Sequence, residues 1–212
     1  MAIEVTDRDV LLLVDVQNDF CDGGALAVPG GQEVVPVINR ISGAFEHVIL
    51  TQDWHPRNHH SFASHHQGRV PFDLLETSFG KHVLWPDHCI RGTKGAAFHP
   101  DLRYENAELI LRKGFHTNID SYSAFTENDR LTRTGLTGYL RERGLGRIFV
   151  AGLAYDYCVR YSAIDSMRAG FETYVVEDAC RAIDVGNSVA DTNYDFHEAG
   201  ARRITSTMLG PA

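Results

Sequence analysis

Short apolar runs alternate along the chain with segments whose apolar residues recur at helical spacing. "VLLLVDV" (residues 10–16) is almost continuously apolar and reaches an acid near its end. Such a run predicts a strand buried on both faces, as in parallel sheets. "VVPVINRISGAF" (34–45) predicts a helix, and "HVILTQ" (47–52) the next strand. "ELILRKG" (108–114) predicts a third strand, "GLTGYLRERG" (135–144) a helix stopped by glycine, and "RIFVAG" (147–152) a fourth strand. "DYCVRYSAIDSMRAG" (156–170) predicts a helix, "ETYVVED" (172–178) a fifth strand, and "VGNSVADTNYDFHEAG" (185–200) a last helix. "RRITS" (202–206) predicts a short sixth strand. Regular alternation of strand and helix implies an α/β domain with a mostly parallel sheet.

One region breaks the alternation. Residues 55–107 are rich in His, Pro and Gly and carry little periodicity. Connections this long inside a compact domain are usually functional or disordered. The aromatic residues here favour an ordered, functional loop.

The chain has 212 residues, which suits one domain with a sizeable core. Its formal net charge is −8, with no dense block of Lys or Arg. That argues against nucleic acid or an anionic membrane as a main partner. The opening MAIEVTDRD is not a signal peptide, and no apolar run approaches the roughly 20 residues of a membrane span. A cytoplasmic location is expected. The cysteines at 21, 89, 158 and 180 form no CxxC pair, so a disulfide framework is not expected.

In open parallel sheets the ligand crevice lies at the carboxyl ends of the strands. Asp15 falls at that end of the first strand, Asp53 and His55 at the second, and Lys113 at the third. Cys158 opens the helix after the fourth. Asp156 is a candidate N-cap, which would put Cys158 in the first helical turn, where the helix end favours thiolate. Free amides at the same turn can receive an oxyanion. Asp15 can serve as base and Lys113 as the cation beside the thiolate, giving a Cys–Asp–Lys set suited to acyl transfer.

Asp53 and His55, two apart on an extended segment, share a face and suit Zn, Mn or Fe. A third ligand must come from elsewhere, with His59, His60, His65, His66 and His88 as candidates. His88 sits in the Pro-punctuated apolar turn "LWPDHCIRG", which would hold its ring in one orientation.

The motifs "LLLVDVQNDFCDGGALAVPGG", "TQDWHP", "SFAS", "WPDHCIRGTKGAAFHPDL", "KGFHTNIDSYSAF" and "AGLAYDYCV" resemble bacterial nicotinamidase/pyrazinamidases, members of the isochorismatase-like cysteine hydrolases. The resemblance runs nearly end to end. It implies a three-layer α/β/α fold with six strands in the order 3-2-1-4-5-6. One domain, residues 1–212, would carry a metal and substrate loop region at about 53–107. The resemblance also implies a catalytic triad of Asp15, Lys113 and Cys158. One divalent metal ion (Zn, Fe or Mn) would sit on Asp53, His55 and His88, with His59 nearby. A non-proline cis peptide between Leu153 and Ala154 would aim the amides of Ala154 and Cys158 at the oxyanion. Phe20, Trp85, Tyr122, Leu153 and Ala154 would line the substrate pocket. Tyr155 stands where threonine is more usual, a change expected to alter pocket packing.

The implied reaction is hydrolysis of nicotinamide, and of pyrazinamide, through a thioester in NAD salvage. A small-molecule substrate is the implied partner, and a homo-oligomer is compatible with it. Two other hydrolase readings compete: another amide or ureido hydrolase of the same superfamily, and a metal-hydroxide enzyme in which Cys158 is a core residue. A non-enzymatic binding protein on the same scaffold is the third alternative, and the intact triad argues against it.

Overall fold

The computed structural model describes residues 2–209. Six parallel strands make the central sheet: β1 (Asp9–Val14), β2 (His47–Asp53), β5 (Ala107–Lys113), β6 (Arg147–Leu153), β7 (Glu172–Arg181) and β8 (Arg202–Ile204). Their spatial order is β5-β2-β1-β6-β7-β8, the expected 3-2-1-4-5-6 counted within this sheet. β1 pairs with β2 on one side and β6 on the other, so the order reverses beside β1.

The alternation of β1 shows why the run had to be apolar throughout. Leu11 and Leu13 pack on one face of the sheet with Val34, Val35, Ile38 and Ile41 of α1 (Val34–Ile41). Val10, Leu12 and Val14 pack on the other with Leu136 and Leu140 of α2 (Leu136–Glu142). α3 (Arg160–Arg168) adds Ala163 and Ile164 to that second layer, and α4 (Ser188–Ala199) adds Phe196. All six residues of β1 are buried. Burial of such side chains on both faces contributes roughly 1.5–3 kcal/mol each, which drives the three-layer arrangement.

Two local differences from the sequence expectation matter. Residues 55–107 are not wholly irregular: β3 (Leu74–Thr77) and β4 (Gly80–Val83) form an antiparallel hairpin apart from the main sheet. And α3 does not begin on an Asp156 cap. A π-helical turn, Tyr155–Val159, precedes it, with Ala154 at its N-cap position and no side-chain cap bond. Asp156 points away from that turn. It accepts the amides of Ile183 and Asp184 and the Ser188 hydroxyl, tying the loop before α4 to the turn. Among the described residues no helix is long and apolar enough to cross a membrane.

Candidate active site

The carboxyl ends of β1, β2, β5 and β6 converge at the switch point: Asp15 follows β1, Asp53 ends β2, Lys113 ends β5, and Cys158 lies in the turn after β6. β1 stops because Asp15 takes a left-handed conformation, φ 49°. That turn points its buried carboxylate across the sheet end. Thr51 of β2 fixes it, donating its hydroxyl to Asp15 Oδ1 at 2.6 Å and accepting the Asp15 amide at 3.2 Å. Lys113 closes β5 in register with Asp53 of β2.

Lys113 Nζ is fully buried and surrounded by acceptors. It lies 2.8 Å from Asp15 Oδ2 and 2.5 Å from Asp53 Oδ1. It also donates to the Ser121 carbonyl at 2.7 Å and reaches Cys158 Sγ at 3.5 Å. Asp15, Asp53 and Cys158 offer atoms that all lie within 4.8 Å of one another. The triad residues expected from the sequence therefore meet at one buried ammonium.

One cation cannot neutralise two buried carboxylates, and the pair divides unequally. Burial raises Asp15, Lys113 only partly offsets it, and the Asp53 charge raises it again, to about 6. Burial would raise Asp53 too. There Lys113, then His55, outweigh it and hold the acid well below the usual carboxylate range. Splitting a pair in this way assigns roles: Asp53 stays ionised, and Asp15 is poised to take and return a proton. Lys113 is held well above its ordinary value, since both carboxylates overcome its burial.

At Cys158 the pull of the helix end toward thiolate is opposed by burial. Burial pushes its thiol well above the ordinary value, and Lys113 does not compensate. The thiol is protonated at rest and needs a base at the moment of attack. Its turn leaves room for an anion acceptor: the Tyr157 and Val159 amides both donate to the Ala154 carbonyl at 3.1 Å, passing over the Cys158 amide between them. The Leu153–Ala154 peptide is cis, as expected.

Opposite the thiol, Asp53, His55 and His88 bring donor atoms within 4.8 Å of one another, all buried. His55 Nδ1 donates to the Gly114 carbonyl at 2.7 Å, and His88 Nδ1 donates to the Pro86 carbonyl at 2.8 Å. Carbonyls only accept, so both rings carry a proton on Nδ1 and turn Nε2 toward the cluster; burial lowers His55, but the Asp53 carboxylate outweighs it and holds that ring above its ordinary value. Both Nε2 atoms face Asp53 Oδ2, at 3.5 and 3.9 Å. Backbone-oriented imidazoles beside an ionised carboxylate are what a divalent metal requires. Burial holds His88 down, with His55 adding to the effect, to about 4, so its ring is neutral.

Of the other histidines, His59 stacks on His55 with centroids 4.1 Å apart. Its Nε2 lies 3.3 Å from the Ile119 carbonyl, and its Nδ1 2.7 Å from the Ser61 hydroxyl. His55, His59 and Asp120 form a second group of close donors sharing His55 with the first. His65 and His66 turn to the carbonyls of Arg57 and His60, and His60 packs against the His66 ring.

Between thiol and imidazoles lies a cavity lined by Phe20, Leu26, Trp85, Tyr122, Ala154, Tyr157 and Ile183, with Asp53, His88, Asp120 and Cys158. The expected Phe20, Trp85, Tyr122 and Ala154 are there. Leu153 is not: it is wholly buried in the core beneath. Tyr155 also lies outside the cavity lining, donating to Asn193 at 2.7 Å and packing edge-on against Phe196, so the expected effect on pocket packing does not act through a lining contact. Trp85 Nε1 donates to the Tyr122 hydroxyl at 3.0 Å, fixing two walls. The free space is only about 20 Å³, enough for about one water.

The isochorismatase domain model matches residues 9–207. The chain belongs to the isochorismatase family. It is 50% identical over 209 residues to the nicotinamidase of Acinetobacter baylyi, covering 99% of this chain and 98% of that one. The structure of PnC1 from L. infantum in complex with nicotinate superposes with a TM-score of 0.87 at 35% identity, over 99% of each chain. The pyrazinamidase of Pyrococcus horikoshii in complex with zinc superposes with a TM-score of 0.73 at 31% identity, over 93% of this chain and 99% of that one.

Several residues of this isochorismatase-family site carried no assigned role in the sequence reading. Leu26, Asp120 and Ile183 reach the cavity from three separate loops, and Tyr157 from the π-helical turn. Gln17 pins Asp53 from behind: its Oε1 accepts the Asp53 amide at 2.8 Å, and its Nε2 donates to the Asp53 carbonyl at 2.9 Å. The one available signal was a buried glutamine directly after a strand, since such a group must bond to backbone.

Proposed function

We propose that this chain is a nicotinamidase: it hydrolyses nicotinamide to nicotinate and ammonia, and pyrazinamide likewise, through a thioester on Cys158. The observation that carries this reading is the buried Asp15–Lys113–Cys158 cluster facing Asp53, His55 and His88 across an aromatic-lined cavity. The similarity to nicotinamidases over almost the full length supports it. In this reading residues 1–212 form one hydrolase domain acting in the cytoplasm on a small-molecule substrate, within NAD salvage.

Asp15 takes the thiol proton as Cys158 Sγ bonds to the carboxamide carbon. The Ala154 and Cys158 amides receive the oxyanion. Asp15 returns the proton to the amide nitrogen, the C–N bond breaks, and ammonia leaves a thioester behind. Asp15 then takes a proton from water, and the hydroxide adds to the thioester carbon. The C–S bond then breaks, Sγ recovers the proton from Asp15, and the nicotinic acid released ionises to nicotinate. Lys113 keeps its charge throughout and steadies the developing thiolate.

Asp53, His55 and His88 would hold one divalent ion, Zn, Fe or Mn, with His59 beside it. When bound, such an ion supplies Lewis acidity suited to the lone pair of a pyridine nitrogen. Phe20 and Trp85 hold the ring flanks, and Tyr122 is fixed by Trp85.

The test of this reading is ammonia release by the purified protein. Nicotinamide and pyrazinamide should both be turned over. Benzamide has the same scissile bond but no ring nitrogen, and should be at least about 100-fold poorer in kcat/KM. Chelation should lower the nicotinamide rate strongly. Equal rates for benzamide and nicotinamide would rule out recognition of the ring nitrogen.

Gly114 offers a separate check on the proposed metal set. It adopts φ +65°, and a Cβ there would lie 2.5 Å from His55 Cε1 and 2.8 Å from its Nδ1. Gly114→Ala should therefore tilt the His55 ring off its carbonyl. Loss of such an orienting contact typically costs 10–100-fold in metal affinity, so bound metal after dialysis should drop by about tenfold or more. Metal content equal to wild type would remove His55 from the ligand set.

A further inference from the structure

A second cavity lies away from the thiol, between the 125–138 segment and α3. It measures about 840 Å³ and is lined by Thr126, Arg130, Arg133, Gly138, Arg141, Asp165 and Arg168, among others. Four guanidinium groups thus face one carboxylate, in a chain whose net charge is −8. Overall charge does not explain such a concentration of one sign.

The arginines are not equivalent. Arg130 and Arg168 share Asp165 Oδ1, at 3.6 and 3.2 Å. Arg133 is held by a neutral acceptor, the Thr126 hydroxyl, at 2.9 Å. Arg141 is held by another, the Ala169 carbonyl, at 2.8 Å. Among the described residues neither Arg133 nor Arg141 forms an ion pair, so both are oriented while their charge stays unmatched. Thr126 and Arg133 also form an isolated antiparallel bridge, which fixes the Arg133 backbone.

The floor shows the same economy of side chains. Gly138 lies inside α2, where glycine is less stable than alanine. A Cβ added there would meet nothing within 4 Å. Packing does not require this glycine, and at this point of the lining no side chain intrudes.

We propose that this cavity binds a phosphate-bearing small molecule. Arginine forks match phosphate oxygens in a bidentate way. The excess of three positive charges over one negative exceeds what a monocarboxylate needs. The volume lies within the range of small-molecule pockets and leaves room for more than a bare phosphate. The site stands independently of the amidase reading, since none of its residues lies in the thiol cavity.

Calorimetric titration of the full-length, metal-loaded protein at low salt tests it, with inorganic phosphate, pyrophosphate and adenosine 5′-monophosphate as probes. At least one probe should bind saturably at one site per chain. Tighter binding of the nucleotide assigns the site to phosphate esters; equal or tighter binding of inorganic phosphate assigns it to free phosphate. The double variant Arg133→Gln/Arg141→Gln should weaken binding at least tenfold while leaving nicotinamide turnover without probe unchanged. Gly138→Gln keeps every charge and fills the floor, so it should weaken the nucleotide by a similar factor even if the double variant folds poorly. Absence of saturable binding of all three probes to the wild type would overturn the proposal. So would wild-type affinity in both variants.

Discussion

Cys158→Ala should lower kcat for nicotinamide by roughly 10⁴-fold or more, with the fold intact, because no other side chain of the site is placed to carry the acyl intermediate. Cys158 is buried and occupies a turn whose partner contacts run through backbone, so a smaller side chain leaves the turn's hydrogen bonds in place. Melting temperature and metal content should stay near wild type. The informative measurement is mass spectrometry of protein quenched during turnover. Wild type should carry the mass of a nicotinoyl thioester, and the variant none. A Cys158→Ala protein that retained a substantial fraction of wild-type kcat would transfer the chemistry to a metal-bound hydroxide and leave Cys158 as a core residue. Because the thiol is protonated at rest, modification by iodoacetamide should depend on Asp15 and rise with pH.

The sheet was legible in the sequence for a physical reason. Strands buried on both faces carry apolar runs without alternation, so Val10–Val14 of β1, Val48–Leu50 of β2 and Ile148–Ala151 of β6 stand out. The β3–β4 hairpin was hidden because Leu74 and Glu76 are exposed and each strand has four residues, too few for a period to emerge. β7 was read three residues short, because its register shifts beside Gly152 and carries the pairing on to Cys180 and Arg181. The π-turn before α3 has no residue signature either. Asp156 looked like a cap, yet its carboxylate finds two amides and a hydroxyl across the loop, a tertiary alternative that the local sequence does not display.

The site divides along the same line. Residues at strand ends could be inferred from topology, which is why Asp15, Asp53 and Lys113 were recognisable and meet in space. Their energetic roles were not, since these depend on which carboxylate lies nearer which imidazole. Supporting groups such as Thr51 and Gly114 act through single contacts made across the fold. At Cys158 the helix end favours thiolate while burial favours the neutral thiol, and the sequence displays only the first of these.

Asp15→Asn should be nearly as damaging, at about 10³-fold or more in kcat, while changing KM little. The amide is isosteric and can still accept the Thr51 hydroxyl on its oxygen. Its NH₂ then faces Lys113 Nζ, donor against donor, where a carboxylate oxygen stood at 2.8 Å. No group remains to take the thiol proton or to deliver it to ammonia. The pH profile separates this role from a structural one. With its carboxyl raised to about 6, wild-type kcat/KM should fall as pH drops through that value, and because Asp15, Lys113 and Asp53 interact the limb belongs to the cluster as a whole. In Asp15→Asn the residual rate should lose that limb. The same shift has an opposite consequence for stability. A carboxyl raised from 3.8 to about 6 binds its proton more tightly folded than unfolded, so stability from this group is greatest below about pH 4 and declines as pH rises to about 6. At the pH of catalysis the ionised Asp15 is thus a strain on the fold, tolerated because a desolvated base is what a protonated, buried thiol requires. An Asp15→Asn enzyme that kept more than a tenth of wild-type kcat, with the acid limb still in place, would show that another group moves the proton.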